Sequence, residues 1–508
     1  MNDFMRHIPE DAIRIMAILE EAGYEAYLVG GCVRDLLLGR IPHDYDITTS
    51  ATPEETEAVF SGFPLADVGR QHGTVGVIAN HICYEVTTYR IDGEYSDNRH
   101  PDSVAFTRSL AADLSRRDFS INALAMDLRG NLAGSSPEEE GTELAAFIRE
   151  GFGDLKAKRI RAVRNAGERF DEDALRILRG IRFSAQLGFG IEPDTARAIH
   201  GKKALLHNIA QERIHAELSK LLLSAGRIPS EAAEPAEPAA VAVLREYRDV
   251  IAEVIPELAE GFDFCQQNPF HCYDVYEHSL QALSTVIREE EEKGREPDET
   301  LRLAALFHDV GKPSCFVVRD GWGHFYGHER KSAEMTEDVL RRLRYDNRTL
   351  NDVVELIEGH GAVLQPTEKY ARRKLSQYGE EQLARLIRLE RADVSAQTPE
   401  VREERIGNIN EFERVVGNVL ESRQCFDRKD MKLGGDDVMA LGIPEGPEVG
   451  RILNAVFEKV LAGDLPNEAN VLIGAAKRLL DQADAALPEG EEPESATGPR
   501  TDKILTKE

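Results

Sequence analysis

The sequence predicts an α+β protein in which a small mixed β-sheet near the N-terminus is followed by a long series of helices. Three short β-prone runs, Tyr27–Val29, Gly73–Ala79 and Ile82–Tyr89, predict the strands of that sheet. Beyond residue 156 apolar residues recur with the spacing of amphipathic helices. At 508 residues the chain is long enough for about three or four domains.

The composition is that of a globular protein with a strong acidic excess. Hydrophobic residues make up 42% and charged residues 30% of the chain, and no apolar run approaches the roughly 20 residues of a membrane helix. Six scattered cysteines without a Cys-x-x-Cys pair favour a reducing cytoplasm over a zinc ribbon or a disulfide frame. The net charge of −29 counts against nucleic-acid binding, although basic residues gather in 156–182 and allow a local basic face.

A glycine pair directly follows the first predicted strand. Gly30 and Gly31 allow a sharp turn and a close approach of backbone N–H groups to a ligand. The residues from Cys32 to Leu38 then predict a helix, and Arg34 lies one turn inside it. Backbone N–H groups at a helix start together with a guanidinium suit a phosphate.

Two aspartates, Asp44 and Asp46, follow this predicted helix and lead into Ile47–Thr49. Residues two apart in a strand point to the same face, so the two carboxylates are expected to converge as ligands for Mg²⁺. Glu85 lies in the Ile82–Tyr89 run and would supply a third carboxylate, although a solvent-facing strand glutamate is equally compatible with its position. A phosphate cradle beside a metal pair predicts phosphoryl or nucleotidyl transfer.

The same stretch, Leu28-Val-Gly-Gly-Cys-Val-Arg-Asp-Leu-Leu-Leu-Gly39 followed by Asp-Tyr-Asp, resembles the first motif of the class II tRNA nucleotidyltransferases. This family comprises CCA-adding enzymes and bacterial poly(A) polymerases. Asp113–Ala125 resembles its second motif, with Ser120 where relatives have threonine. The resemblance implies that Arg117 contacts the nucleotide and that Asp118 and Asn122 serve as ribose or scaffold groups.

Phe170–Phe183 predicts a helix that is capped by Asp171 and carries charged residues every third position. Cytosine and adenine both show an amino donor beside a ring-nitrogen acceptor, which a carboxylate and a guanidinium can match. Uracil and guanine mismatch both contacts, at a cost of about 1–3 kcal/mol for each buried group. The alternative is a solvated helix laced with salt bridges. The resemblance implies that the base is chosen by Asp173 and Arg176 and that Arg179 and Arg182 assist. The helical spacing directs Arg179 and Arg182 towards phosphates, or towards the base from beside it.

Four segments are interpreted as peripheral. The polar stretch 91–104 predicts a mobile loop, and the acidic stretch 130–153 departs from the family pattern and predicts a surface insertion. The Pro-, Ala- and Glu-rich residues 225–242 predict a linker at a domain boundary. The acidic tail 485–508 is expected to be disordered.

A second constellation follows the order of the HD phosphohydrolases, with candidate metal ligands at His278, His308, Asp309 and Asp393. Imidazoles combined with carboxylates suit Mn²⁺ or a divalent transition metal that activates water for phosphoester hydrolysis. Further candidates are His328 and His360 for a second metal and Lys312 for a phosphate. The alternative is a metal-free, purely structural HD fold.

The resemblance covers nearly the whole chain and implies a CCA-adding enzyme that uses Mg²⁺, tRNA, CTP and ATP, with no protein partner indicated. It implies the following organisation: a nucleotidyltransferase head (1–155), an all-α neck (156–224), a linker with a connecting helix (225–262), an HD domain (263–405), a helical tRNA-binding body (406–484) and a tail (485–508).

Three rival functions are kept. A poly(A) polymerase is disfavoured by Gly69–Val75, which is more similar to the CCA-adding type. The second rival is an enzyme that adds only CC or only A. In the family it resembles, CC-adding enzymes have a shortened loop, so the full-length loop predicted over 91–104 argues against the CC-only form. The third is an HD phosphohydrolase whose N-terminal half only binds RNA.

Overall fold

The computed structural model describes residues 3–93, 103–230 and 233–484. The chain divides into two compact units, one of residues 1–362 and 385–406 and the other of residues 363–384 and 407–508. The predicted disordered tail lies outside the described residues, as does most of the predicted loop 91–104.

The fold class predicted from the sequence is confirmed, because one six-stranded mixed sheet near the N-terminus is followed mainly by helices. The strands are β1 (Ala26–Val29), β2 (Ile47–Thr49), β3 (Leu65–Ala66), β4 (Thr74–Ala79), β5 (Ile82–Thr88), β6 (Arg90–Asp92), β7 (Val104–Phe106), β8 (Ala125–Met126), β9 (Arg159–Ile160), β10 (Gly190–Ile191), β11 (Arg227–Ser230), β12 (Ala233–Pro238), β13 (Val317–Arg319) and β14 (Trp322–His324). The large sheet has the order β3-β4-β5-β2-β1-β8. The pair β2 and β5 is parallel, and every other neighbouring pair of this sheet is antiparallel.

Helices fill most of the rest of the described chain. They are α1 (Glu10–Glu21), α2 (Gly31–Leu37), α3 (Pro53–Val59), α4 (Leu110–Ser115), α5 (Glu143–Lys156), α6 (Ala166–Glu172), α7 (Leu175–Leu187), α8 (Pro193–Lys202), α9 (Gln211–Leu222), α10 (Ala239–Glu246), α11 (Arg248–Val254), α12 (Val275–Glu292), α13 (Glu299–Phe307), α14 (His328–Arg342), α15 (Asn347–Gly359), α16 (Glu368–Ser395), α17 (Pro399–Glu421), α18 (Gly435–Met439), α19 (Pro447–Ala462) and α20 (Ala469–Asp484). No helix in the described part of the chain is long and apolar enough to span a membrane.

Local sequence signals explain the central hairpin and the helix that follows β2. Asn80 and His81 have φ values of 46° and 67°, the left-handed conformation that a two-residue hairpin turn requires, and they join β4 to β5 as predicted. Thr52 and Glu55 form a reciprocal capping box at the start of α3, with Pro53 in the first helical position. Both elements are therefore specified within a few residues of sequence.

The predicted surface insertion is only partly an insertion. Its second half belongs to α5, whose buried residues include Ala145, Ile148, Gly151 and Leu155. A Cβ on Gly151 would lie 2.4 Å from the Ser120 carbonyl oxygen, so the helix packs directly on the backbone of the second motif. The acidic composition of the segment drew attention away from this apolar face, although its residues recur every three or four positions, as in an amphipathic helix.

Two further predictions need correction. The predicted helix over Phe170–Phe183 is broken between α6 and α7, because Asp173 adopts an extended backbone (φ −134°, ψ 103°). Asp171 therefore lies near the end of α6 and does not cap a helix. The predicted linker 225–242 contains the paired strands β11 and β12 and the start of α10, whose first two alanines, Ala239 and Ala240, are buried.

The second compact unit has its own apolar core. Fully buried members include Val438, Val456, Leu472 and Ala476, contributed by α18, α19 and α20. Glycines stand at the start of two of these helices, with Gly434 at the N-cap of α18 and Gly446 at the N-cap of α19.

Candidate functional site

The glycine turn after β1 lies against Arg117. Gly30 has φ +82°, and a Cβ at this position would lie 3.2 Å from Arg117 Nη1. Arg117 Nη2 is 3.4 Å from Asp113 Oδ2, while its buried Nε has no hydrogen-bond partner. The first two sequence motifs thus meet here, and the left-handed backbone at Gly30 favours glycine.

Asp46 and Glu85 are brought side by side by the parallel pairing of β2 and β5. Ile47 pairs with Val86, so the residue before each of them lies at the same level of neighbouring strands. Asp44 and Glu85 are exposed, and Asp46 is half-buried. Asp44 and Asp46 precede β2 and are not part of it, which corrects the predicted strand geometry.

The pKa of Asp46 reflects the charged groups around it. Burial and the Asp44 carboxylate raise the pKa of Asp46 to about 6, with Arg117 opposing the shift and Glu85 adding to it. A cation at this position would relieve the repulsion between like charges, so the donor set fits a divalent metal ion. Within the described residues the three carboxylates do not form a group with all ligand atoms inside 4.8 Å.

Arg34, predicted to assist a phosphate, is folded against protein groups. Its guanidinium donates to both carboxylate oxygens of Asp35 at 2.9 Å and to Asn122 Oδ1 at 2.8 Å. It also lies 5.2 Å from the centre of the Phe183 ring. In this arrangement Arg34 holds the start of α2 against the second motif, and its contact with a nucleotide stays a prediction.

The arginines of α7 connect this helix to the second motif. Arg176 donates to the Arg116 carbonyl oxygen at 2.9 Å and to Glu172 at 2.7 Å. Arg179 donates to Asp118 Oδ2 through Nε and Nη2, at 2.8 and 2.7 Å. Burial raises the pKa of Asp118, but Arg179 outweighs it and the pKa falls to about 2. The helix predicted to select the base is therefore fixed beside Arg117.

Asp173 and Arg182 have different surroundings. The Asp173 carboxylate accepts from Leu175 N at 3.1 Å and pairs with Arg213 at 3.0 Å. Arg182 is buried and pairs with Glu217 on α9, which leaves its predicted phosphate contact without support from the geometry.

Asp113 was not among the predicted site residues, yet it joins several parts of the head. Its carboxylate is fully buried and interacts with Thr48 of β2, with the Arg90 backbone N–H and with the side chains of Arg116 and Arg117. Burial raises the pKa of Asp113, but Arg117 and Arg116 hold it below its ordinary value. Its place three residues before the first of the two arginines of the second motif was the available sequence signal.

The second constellation is assembled and buried. His278, His308, Asp309 and Asp393 form one group, and Asp309 shares a second group with His328 and His360, with all ligand atoms of each group inside 4.8 Å. Asp309 Oδ2 lies 3.3 Å from His278 Nε2 and from His308 Nε2. Its Oδ1 lies 3.3 Å from His328 Nε2, so this carboxylate faces both groups.

Hydrogen bonds orient three of these histidines. The Nδ1 atoms of His308, His328 and His360 each bond the backbone carbonyl three residues earlier. Their Nε2 atoms are thereby left for the cluster, and those of His308 and His360 are buried without a hydrogen-bond partner. This is the usual arrangement around a metal-binding imidazole, so the residues fit one or two divalent ions.

A pocket of about 330 Å³ opens onto Asp309, His328 and His360. Lys312 lines it, with Nζ 2.6 Å from Asp309 Oδ2 and 3.1 Å from Gln266 Oε1. Two lining residues that sequence reasoning missed are His271 and Arg405. Burial, Lys312 and His278 lower the pKa of His271 to about 3, so it is neutral at physiological pH.

The head, the neck and the histidine cluster together define the class of protein. Residues 26–161 match the poly A polymerase head domain, residues 188–227 match the probable RNA and SrmB-binding site of polymerase A, and residues 275–397 match the HD domain. The chain is thus a nucleotidyltransferase joined to an HD domain.

Similarity to individual proteins narrows this class. A CCA-adding enzyme of Levilactobacillus brevis is 32% identical over 474 residues, which span 93% of this chain and 99% of the relative. One from Streptococcus pyogenes is 50% identical over 215 residues, or 42% of this chain and 50% of the relative. The protein belongs to the family of CCA-adding enzymes.

Solved structures agree with this assignment. The CCA-adding enzyme of Bacillus stearothermophilus in complex with CTP has a TM-score of 0.61 and 27% identity, covering 96% of this chain and 100% of that one. The Thermotoga maritima CCA-adding enzyme complexed with tRNA has a TM-score of 0.58, covering 94% of this chain and 97% of that one. At 20% identity the latter supports the fold alone.

Proposed function

We propose that the protein adds C, C and A to the 3′ end of tRNA from CTP and ATP without a nucleic-acid template. One observation carries the proposal: Asp46 lies close enough to Asp44, Glu85 and Arg117 for their charges to shift its pKa, and Arg117 lies against the Gly30 turn. This arrangement supports an acidic metal site beside a phosphate cradle.

In the reaction, the tRNA 3′ oxygen forms a bond to the α-phosphorus, the bond to the pyrophosphate oxygen breaks, and the hydroxyl proton is released. Mg²⁺ held by Asp44 and Asp46, with Glu85 as a third carboxylate, would neutralise the triphosphate and favour the ionised 3′ oxygen. Arg117 and the N–H group of Gly31 would orient the triphosphate, whereas the Gly30 N–H already donates to the Leu124 carbonyl oxygen at 3.2 Å.

Base selection is assigned to Asp173 and Arg176. The extended backbone at Asp173 and the bond from Arg176 to the Arg116 carbonyl hold the two side chains at the start of α7. A carboxylate and a guanidinium match the edges of cytosine and adenine and mismatch those of uracil and guanine. A protein can thus choose the nucleotide without a template strand.

Incorporation of CTP and ATP into tRNA lacking its 3′ end tests the proposal. We expect a product extended by CCA and no further. Repeated adenylation would identify a poly(A) polymerase, and a stop after CC or after A alone a partial enzyme. If Asp44→Ala left the main activity intact while Asp309→Ala abolished it, the N-terminal half would only bind RNA.

A second activity, phosphoester hydrolysis, is proposed for the HD domain on tRNA ends. It is supported by the buried histidine–carboxylate cluster beside Lys312 and by the histidine Nε2 atoms directed into it. Water oxygen would bond to phosphorus, the ester P–O bond would break, and the leaving alkoxide would take up a proton. Asp309→Ala protein that still removed a terminal phosphate from tRNA would contradict this assignment.

We place both activities in the cytoplasm. All six cysteines are free, and three of them, Cys83, Cys265 and Cys272, are exposed, which is compatible with a reducing compartment. Fractionation of cells that produce the protein tests this location.

A further inference from the structure

The HD pocket has an aromatic rim on one side. Residues lining it include His324, the last residue of β14, and Phe325 and Tyr326, which follow it before α14. The rings of His324 and Tyr326 are stacked, with centres 5.3 Å apart and planes 4° from parallel. Tyr326 remains 65% exposed, so this planar pair, here called the ring platform, is open to a ligand.

The backbone explains why the ring platform faces outward. Between Trp322 and His324, Gly323 is packed inward, where a Cβ would lie 2.2 Å from the Gln266 carbonyl oxygen. Neighbouring residues of a strand point to opposite faces, so Trp322 and His324 share the outer face. Trp322 is 51% exposed, in agreement with that placement.

The ring platform is also fixed relative to the candidate metal ligands. Gly327 has φ +76° and turns the chain between Tyr326 and His328. His328 donates from Nδ1 to the Phe325 carbonyl oxygen at 2.9 Å. Phe325 packs against Phe316, and Lys312 Nζ lies 5.4 Å from the centre of its ring. The same few residues therefore position an aromatic surface, a cation and a metal-ligand histidine.

The pocket brings three kinds of recognition group together. Its cluster of metal ligands and Lys312 suit a phosphate, and Arg405, which donates to Gln397 at 2.7 Å, adds a second cation to the lining. The exposed rings suit a flat, uncharged group, and a nucleobase stacks well on such a surface. A ligand with an aromatic base and a phosphate matches both ends, whereas a sugar phosphate matches only one.

We infer that His324 and Tyr326 form a base-stacking subsite, so that the HD site prefers nucleoside phosphates, free or at an RNA end, to phosphates without a base. This inference rests on the phosphoester hydrolysis proposed above. It adds to that proposal a determinant of substrate specificity that the metal-ligand residues do not provide.

Trp322 provides a direct test, because it is the only tryptophan of the chain and lies on the same hairpin as the ring platform. The full-length protein is titrated with adenosine monophosphate and with ribose 5-phosphate while tryptophan fluorescence is followed. We expect adenosine monophosphate to bind roughly tenfold more tightly than the baseless phosphate. Tyr326→Ala should remove this preference and leave ribose 5-phosphate binding unchanged.

Two further variants separate stacking from a structural effect. Tyr326→Phe keeps the ring and should retain the preference for the base. Tyr273→Ala removes an exposed tyrosine that does not line the pocket and should also retain it. Equal affinity for the two phosphates in the wild-type protein, or an unchanged preference in Tyr326→Ala, would overturn the inference.

The two sources of the ligand are distinguished by a second arm with a short oligoribonucleotide that ends in a 3′-phosphate. Tighter binding than adenosine monophosphate assigns the subsite to RNA ends, and equal binding assigns it to free nucleotides; Tyr326→Ala should weaken both ligands. Base-dependent binding without any hydrolysis would support the subsite and refute the hydrolytic function, so the two proposals can fail separately.

Discussion

The two candidate metal sites of this protein are built in opposite ways. In the head, Asp44 and Glu85 are exposed, and no group of three described carboxylates there has all its ligand atoms inside 4.8 Å. In the HD domain, His278, His308 and Asp309 are fully or almost fully buried and already close together. We expect the first site to need its substrate for completion, because a nucleoside triphosphate can supply further oxygen ligands. The second is suited to a resident ion.

The largest effect expected from this contrast concerns the head carboxylates. Asp44→Ala or Asp46→Ala should lower incorporation of CTP and ATP by about a thousandfold or more, because stabilisation of transition-state charge by a metal is worth several kcal/mol. The measurement is single-turnover extension of end-trimmed tRNA. Asp11→Ala, which removes a surface carboxylate of the same domain bonded to Asn80, is the matched control.

If the two sites are independent, these head variants should bind metal in the HD domain as the wild type does. A loss of HD metal in Asp44→Ala protein would show that the head variant is misfolded. In that case the variant could not be used to compare the two sites.

The second effect concerns the resident ion. Asp309→Ala should weaken Mn²⁺ or Zn²⁺ binding by at least about a hundredfold, because this carboxylate faces both ligand groups. His328→Ala, which affects one group only, should have a smaller effect. The ion content after gel filtration is measured by elemental analysis, with Asp320→Ala, an exposed turn residue, as control. Unchanged ion content in Asp309→Ala would favour the purely structural HD fold.

Sequence reasoning predicted the elements whose determinants are local. The turn at Asn80 and His81, the capping box of α3 and the β1 strand are each specified within a few residues. The HD residues could be named in advance because their order in the chain is distinctive, although their separation of 115 residues between His278 and Asp393 gave no geometry.

The features that the sequence did not predict depend on contacts between residues far apart in the chain. The break at Asp173 is supported by Arg213, 40 residues later, and Arg34 is held by Asn122, 88 residues later. No local periodicity reports such contacts. The same applies to Arg405 and Tyr326, whose position on the HD pocket appears only after the chain has folded.

The third prediction tests the burial of the HD cluster. Glu390 lies next to it and is almost inaccessible, and burial together with Asp393 raises its pKa to about 8, against the opposing effect of Arg405. Between the ordinary pKa of a glutamate and this value, the folded state retains a proton that the unfolded state releases. The free energy of unfolding of metal-free protein should therefore fall as pH rises through this window.

Glu390→Gln removes that dependence. We expect it to stabilise the metal-free protein by about 2–4 kcal/mol at pH 8 and by much less at pH 5. Urea unfolding at the two pH values measures this, with HD-domain probes used to follow the transition. Added Mn²⁺ should reduce the gain, because a cation favours the ionised carboxylate. A gain of equal size at both pH values would mean that the variant improves packing only.

The smallest effect expected from this contrast concerns the selection of the nucleotide by the head. Asp173→Ala should reduce discrimination against UTP and GTP by about 10- to 100-fold while slowing CTP addition less, because a lost base contact is worth about 1–3 kcal/mol. The carboxylate also accepts from Leu175 N and pairs with Arg213, so some loss of stability is expected as well. The ratio of kcat/KM values for the four nucleotides separates the two effects, since lower stability affects all of them alike.

Asp171→Ala is the matched control, because this acid two residues earlier is bonded to Lys202 on the surface. Its nucleotide preference should equal that of the wild type. An unchanged preference in Asp173→Ala would leave Asp173 as a structural residue that fixes the break between α6 and α7. The base would then have to be read by other groups near Arg117. Nucleotide selection in the head would then depend on the shape of its binding site. The pair Asp173 and Arg176, which is proposed here to recognise the base edge, would no longer explain it.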